Sequence, residues 1–90
     1  MLRFDWDEWK NKRNRTKHEV WFEEAQSVFS DPHARLFYDP EHSQGEDRFV
    51  LLGVSSAART LLVVHCYREQ DSLIRAHFRA QGHQEGGAIL

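Results

Sequence analysis

The chain has 90 residues, which is enough for one small domain. A net charge of −2 excludes a polybasic nucleic-acid tail, and a hydrophobic content of 40% excludes a disordered chain. No apolar run approaches the ~20 residues of a membrane span, and the first residues lack the pattern of a signal peptide. A single cysteine, Cys66, excludes an internal disulfide. We therefore expect a cytoplasmic domain that does not enter membranes.

The N-terminal segment predicts a short strand followed by a helix. Leu2-Arg3-Phe4 alternates as strands do, and Asp5 with Glu8 has the spacing of a capping box. The helix is expected to continue to about Lys17, with acids in its first turn and bases in its last, as the helix dipole favours.

Apolar residues at every third or fourth position predict a second helix over about Phe22–Ser30. Pro32 ends it. Trp21 stands at the N-cap position, where Ser, Thr, Asp or Asn is expected. Trp6 and Trp9, three positions apart in the first helix, are expected to pack inward.

After Pro32 the pattern is that of strands joined by short turns. Four strands are predicted, at Ala34–Tyr38, Arg48–Val54, Thr60–Tyr67 and Ser72–Phe78. Thr60–Tyr67 is continuously apolar and is therefore expected to lie at the centre of the sheet. Two helices followed by an antiparallel β-meander define an α+β fold.

The segment from Lys10 to His18 reads KNKRNRTKH, with five formal positive charges and no acid. It fits either a solvated helix face or a surface that contacts nucleic-acid phosphates. On the second interpretation, the RNA-binding candidates are Lys10, Lys12, Arg13 and Lys17.

A colinear series of short motifs resembles the BrnT family, the RelE-like ribonuclease toxins of type II toxin–antitoxin pairs. The matching pieces are Phe4-Asp5-Trp6-Asp7, Asn11, Asn14, Lys17-His18, Phe22-Glu23-Glu24-Ala25, Val28-Phe29, Asp31-Pro32, Gly45-Glu46-Asp47-Arg48-Phe49, Gly53, Ser55, Arg59, Val63-Val64-His65 and Ile74-Arg75. The resemblance implies RNA cleavage without a metal or other cofactor. It also implies neutralisation by a BrnA-type antitoxin, which supplies the DNA-reading part when the pair binds its promoter.

RNA cleavage without a metal needs a base for the 2′-hydroxyl, an acid for the leaving 5′-oxygen and cations that stabilise the phosphorane. The catalytic candidates that the resemblance supplies are His18, Glu46, Arg48, Arg59, His65 and Arg75. The base and the acid are not assigned among them. Arg75 has the best positional case, because it leads into the segment that is functional in the family.

The other candidates also have structural interpretations. His18, at a helix end, complements the helix dipole equally well. His65 lies in the most apolar strand, where a histidine is more often a hydrogen-bonded core residue. Glu46 with Arg48 fits an ordinary surface pair, and Arg59 fits a solvated turn.

Metal or nucleophile chemistry is not expected elsewhere. The remaining histidines lack the spacing of zinc ligands. These are His33, His42, His77 and His83. Cys66, within an apolar strand, is expected to be a small core residue.

The chain departs from the family pattern at three places. Glu19 replaces the usual Gly after the first helix, and Trp21 replaces the usual Ser or Thr cap. After Arg75, the family's basic segment is replaced by a glycine-containing tail. We therefore divide the chain into a toxin-like domain, residues 1–80, and an atypical, weakly ordered tail, residues 81–90.

A one-base shift in the gene near the codon for Ala76 would account for this tail. Gln81, Gln84 and Glu85 each precede a codon that begins with G. In the next reading frame each therefore becomes Lys or Arg, as in the family's basic segment. The alternative function is accordingly an inert or impaired family member that only binds antitoxin or RNA, and a third hypothesis is a plain scaffold whose basic helix contacts a protein.

Overall fold

A computed structural model describes residues 3–68 and 73–82. Its strands are β1 (Arg3–Asp5), β2 (Arg35–Tyr38), β3 (Phe49–Val54), β4 (Thr60–Arg68) and β5 (Leu73–Gly82). Its helices are α1 (Glu8–His18) and α2 (Phe22–Ser27), with 3₁₀ turns at Val28–Ser30 and Pro40–His42. The sheet order is β1-β5-β4-β3-β2, antiparallel except that β1 runs parallel to β5. The predicted α+β fold, with β4 in the middle of the sheet, is confirmed.

Three details of the predicted elements are wrong. Asp5 belongs to β1, and the N-cap of α1 is Asp7, whose side chain accepts a hydrogen bond from the Trp9 amide at 2.9 Å. Trp9 does not pack inward but is 67% exposed. The last strand does not end at Phe78 but extends to Gly82.

The position of Trp9 follows from which face of α1 is buried. Asn11 and Asn14 are the buried residues of this helix. Trp9 precedes Asn11 by two positions, about 200° around the helix, and so points to solvent. Trp6 does pack inward, with its ring edge-on to Phe22 at a centroid distance of 5.9 Å.

The core lies between the helical layer and one face of the sheet. Its buried residues are Val20, Phe22, Ala25 and Val28 from the helical segment and Leu51, Leu61 and Val63 from the strands. Gly53 lets the turn after α2 rest directly on β3, because an added Cβ would stand 2.8 Å from a methyl of Val28 and 2.9 Å from the Ala34 side chain.

The buried amide of Asn11 joins α1 to the start of α2. Its Oδ1 accepts a hydrogen bond from the Phe22 amide at 2.7 Å, and its Nδ2 donates to Glu8 at 2.9 Å and to Glu23 at 3.0 Å. Trp21 makes no side-chain capping bond, as its residue type predicts. Asn11 therefore supplies, from another helix, the acceptor that a local cap would have provided.

The end of α1 is held in a left-handed backbone conformation. Glu19 has φ 61° and ψ 30°, and its amide donates to the Arg15 carbonyl at 3.0 Å. Nearby, Nδ2 of Asn14 donates to the Val20 carbonyl at 2.8 Å. Glycine adopts this conformation without the steric cost that a side chain carries.

The pairing of β5 with β4 changes register along its length. Cys66 pairs with Arg75, whereas Val64 pairs with Arg79. His65 of β4 therefore lies opposite three residues of β5, which form a bulge. Beyond it, Gln81 and Gly82 continue the strand opposite Leu62 and Leu61. The prediction that the tail, residues 81–90, is weakly ordered is not tested from position 83 onward, because those residues lie outside the described ones.

Asn11→Ala is expected to lower the free energy of unfolding by about 2–3 kcal/mol, because it leaves the buried Phe22 amide without its acceptor. Urea denaturation of the variant measures this loss. Lys12→Ala, at an exposed neighbouring position, is the control and should change stability little. An Asn11→Ala loss no larger than that of the control would contradict the capping role.

Glu19→Gly is expected to raise the free energy of unfolding by about 1 kcal/mol, since it removes a side chain from a left-handed position. The carbonyl of residue 19, which accepts a bond from Arg59, is retained. Thermal and urea unfolding test the gain. Glu19→Ala keeps the steric cost and should show no comparable increase; equal stabilisation by both substitutions would refute this account.

Candidate functional site

The predicted catalytic residues form two groups, one near each end of β4. His18 and Arg59 lie toward the end at which β4 begins, where Arg59 contacts the backbone just after His18. Glu46, Arg48, His65 and Arg75 lie toward the end at which β4 finishes. Cys66 lies seven positions after Arg59, a distance of about 23 Å in extended chain. The six candidates therefore do not form one constellation.

Arg59 clamps the β3–β4 hairpin to the helices. Its Nε donates to Glu24 at 2.9 Å, a second guanidinium nitrogen contacts the other oxygen of the same carboxylate, and a further bond of 3.1 Å reaches the Glu19 carbonyl. Ser55 donates to Glu24 at 2.6 Å. The Arg59 guanidinium holds the pKa of Glu24 below its usual value, with Ser55 adding to this effect against the opposing effect of burial. These contacts give Arg59 a structural role.

A second set of bonds fixes the other side of the same hairpin. The Val54 amide donates to Asp31 at 2.8 Å, and the Ser56 amide donates to Ser27 at 2.7 Å. The Val54 bond and a bond from the His33 amide lower the pKa of Asp31. Several residues of the motif series therefore serve the junction between helix and hairpin.

His65 is buried within an aromatic cluster. Its ring packs edge-on against Phe29 and Tyr67, at centroid distances of 4.9 and 5.2 Å, and lies 6.2 Å from Phe49. Its Nδ1 lies 3.0 Å from the Val63 carbonyl and therefore carries the proton, so Nε2 accepts from the Tyr67 hydroxyl at 3.3 Å. Burial lowers the pKa of His65. The geometry is that of a neutral core histidine that orients Tyr67.

At the end of the sheet where β4 finishes, the charged side chains lie on the face away from the helices. Arg75 pairs in register with both Cys66 and Asp5, and its guanidinium forms an ion pair with Asp5. Glu46 forms an ion pair with Arg68. Burial, with the nearby Glu46 carboxylate, raises the pKa of the Cys66 thiol to about 11, so the thiol stays protonated and is not a nucleophile at neutral pH.

A cleft of about 660 Å³ opens beside this end of the sheet. Three ring or aliphatic side chains and one loop line it: Leu36, Phe49, Tyr67, Gly45, Glu46 and Asp47. Asp47 accepts a hydrogen bond from the Tyr38 hydroxyl at 3.1 Å. The cleft is therefore apolar on its floor and acidic along one rim.

The basic residues of α1 lie on its exposed side. Lys12, Arg13 and Lys17 are exposed and Lys10 is half-buried, while Arg15 lies over the Trp21 ring at 5.9 Å. This arrangement is compatible with both sequence-based interpretations of the segment, a solvated face or a phosphate-binding one.

Two features are absent from the described residues. Within residues 3–68 and 73–82, no group of three His, Cys, Asp or Glu side chains has the arrangement of a metal site. Across the same residues, no helix has the length and hydrophobicity needed to cross a membrane.

Sequence reasoning did not select Tyr67 or Arg68 as site residues. Tyr67 lines the cleft and binds His65, and Arg68 pairs with Glu46. The available signal was the alternation of β4, which places His65 and Tyr67 on one face and Cys66 and Arg68 on the other.

The family described as "Ribonuclease toxin, BrnT, of type II toxin-antitoxin system" matches residues 6–77. The chain belongs to this BrnT family of ribonuclease toxins. Family membership also means that an antitoxin protein is the expected type of partner.

The structure is similar to the crystal structure of the Brucella abortus ribonuclease toxin, BrnT, with a TM-score of 0.70 and 16% sequence identity. The similarity covers 94% of this chain and 100% of that one, and it supports the fold. A comparison with curated protein sequences finds no significant match.

Glu24→Gln is expected to lower stability at neutral pH by about 1–2 kcal/mol, since it removes charge-assisted bonds to Arg59. The lowered pKa of Glu24 means that this contribution is present above the unfolded pKa, near 4.5, and disappears as pH falls through the folded value. Urea unfolding from pH 7 to pH 3 should show the variant and the parent chain converging in acid. Glu41→Gln, at an exposed position, is the control, and a pH-independent difference for Glu24→Gln would contradict the assignment.

Proposed function

We propose that this chain is a toxin-type endoribonuclease that cleaves RNA without a metal and is neutralised by a cognate BrnA-type antitoxin. The proposal is supported by membership of the BrnT family and by the position of Glu46, Arg48 and Arg75, which all lie toward the end at which β4 finishes. Arg68, which pairs with Glu46, adds a further cation at the same end.

The chemistry proposed for this end is mainly electrostatic. Arg48 and Arg75 supply planar guanidinium groups that suit phosphate oxygens and the charge of the phosphorane. Glu46 is half-buried beside the cleft and is the group best placed to exchange a proton with RNA. His65, fully buried, acts through Tyr67 rather than on RNA directly.

The remaining candidates have supporting roles in this proposal. The exposed bases of α1 provide phosphate contacts that do not depend on RNA sequence. His18 and Arg59 lie at the other end of β4, and Arg59 is engaged by Glu24, so neither is assigned to the reacting phosphate. The domain is proposed to work in the cytoplasm, and to reach promoter DNA only through its complex with antitoxin.

A second candidate function is an inert family member that binds antitoxin or RNA without cleaving RNA. It is favoured by one observation: the family match ends at residue 77, shortly before the atypical tail, residues 81–90. The register of β5 also changes between Arg75 and Arg79. A frameshift near Ala76 remains our hypothesis for this segment, and the nucleotide sequence tests it.

Cleavage of purified RNA by the full chain, with EDTA present, tests the proposed activity. Arg75→Ala should lower the rate at least tenfold, because a guanidinium that stabilises the transition state is lost. Its melting temperature should change little, since the Arg75–Asp5 pair is half-exposed.

Arg35→Ala is the matched control, because Arg35 is an exposed arginine on the edge strand β2. Equal rates for Arg75→Ala and Arg35→Ala would overturn the assignment of Arg75. Cleavage abolished by EDTA would overturn metal independence. Absence of cleavage by the parent chain, with binding of antitoxin retained, would establish the inert alternative.

A further inference from the structure

The free edge of the sheet is unusually apolar. All four residues of β2 are exposed, and Leu36, Phe37 and Tyr38 keep 50%, 49% and 52% of their surface accessible. Among the described residues β2 pairs only with β3. Edge strands in soluble proteins are usually protected by charge, proline or a covering element, so a run of three large apolar side chains indicates an interaction surface.

The backbone of this edge is oriented for strand addition. The Asp39 amide donates to the Arg48 carbonyl at 2.9 Å, so residue 39 belongs to a hydrogen-bonded pair with β3. In an antiparallel ladder such pairs alternate, and Phe37 therefore faces β3 while the amide and carbonyl groups of Leu36 and Tyr38 point outward. An added strand would bind these outward groups.

The side chains beside this edge define the chemistry of the added strand. Leu36 forms part of the apolar floor of the cleft, and Tyr38 packs edge-on against Phe49 at 5.5 Å. The loop between β2 and β3, residues 39–48, contains four acids and a single basic residue, Arg48, directly before β3. Glu46 and Asp47 lie on the rim of the cleft. The surface is thus apolar with an acidic rim, which suits the basic side chains of a protein partner.

We propose that β2 and the adjacent cleft bind an extended, basic and apolar segment of a protein partner by β-strand addition. Alternate apolar side chains of the segment enter the cleft, and its Lys or Arg side chains contact the acidic loop. Because Glu46 and Tyr67 line the same cleft, a segment bound there covers one side of the proposed cleavage site. This inhibitory consequence rests on the proposed function, whereas the docking itself does not.

The test uses the ¹⁵N-labelled full chain and the peptide acetyl-Lys-Val-Lys-Ile-Lys-Val-Lys-amide. Binding should shift the amide signals of β2 and the cleft, and should slow hydrogen exchange at Leu36 and Tyr38 more than at Phe37. The peptide with Glu in place of every Lys, and the peptide N-methylated on alternate residues, should each bind at least tenfold more weakly. Leu36→Lys should weaken binding of the basic peptide at least tenfold.

Trp9→Lys is the matched control, because Trp9 is an exposed apolar residue on α1 and its substitution should leave peptide affinity unchanged. Equal affinity for the basic and acidic peptides, or shifts away from β2, would overturn the proposal. So would an RNA oligonucleotide that slows hydrogen exchange at Leu36 and Tyr38 as the peptide does, or a dimer that Leu36→Lys abolishes and that the peptide does not displace.

RNA cleavage provides a separate measurement. The basic peptide should inhibit cleavage by the parent chain and should inhibit the Leu36→Lys variant at least tenfold less effectively. If the parent chain does not cleave RNA, the proposed function fails while the NMR test of docking still stands. If cleavage occurs and the bound peptide leaves it unaffected, the inhibitory consequence is wrong and the docking proposal survives on the NMR result alone.

Discussion

One buried side-chain amide, that of Asn11, determines how the helical layer is assembled. It binds the first free amide of α2 and two glutamates, one from each helix. A small domain has little stability to spare, and a helix as short as α2 does not form by itself. The short second helix therefore depends on the first for its start, and the core residues that it contributes depend on both.

The same dependence continues from the helices to the sheet. Glu24 of α2 accepts hydrogen bonds from Arg59 and Ser55 of the β3–β4 hairpin. The turn that follows α2 packs directly on Gly53. The hairpin is thus aligned by polar bonds as well as by apolar packing. The catalytic candidates predicted from the sequence therefore fall into two groups. One group contacts the junction between helices and hairpin, and the other lies near the end of β4.

The sequence predicts what depends on local pattern. The continuous apolar run of β4 predicts a central strand, which is confirmed. The spacing of Phe22, Ala25 and Val28 predicts a helix that faces the core, and all three are buried there, although the α-helix ends at Ser27 and Val28 lies in a 3₁₀ turn. Partners distant in sequence were not predictable. The acceptor for the Phe22 amide lies 11 residues away, and the carboxylate that engages Arg59 lies 35 residues away. Neither periodicity nor propensity carries that information, so the sequence indicates Arg59 as a candidate residue but not the Glu24 carboxylate that it contacts.

Gly53 gives the domain a vulnerable point well away from the proposed cleavage site. Any side chain there would press on Val28 and Ala34 at less than 3.0 Å and would separate the helical turn from β3. Glycine codons lie one base from codons for several larger or charged residues, so a single base change at this position can disrupt the packing of the whole domain. Genetic selection for loss of a toxin's activity would then yield substitutions at core positions such as Gly53 as well as at residues of the site.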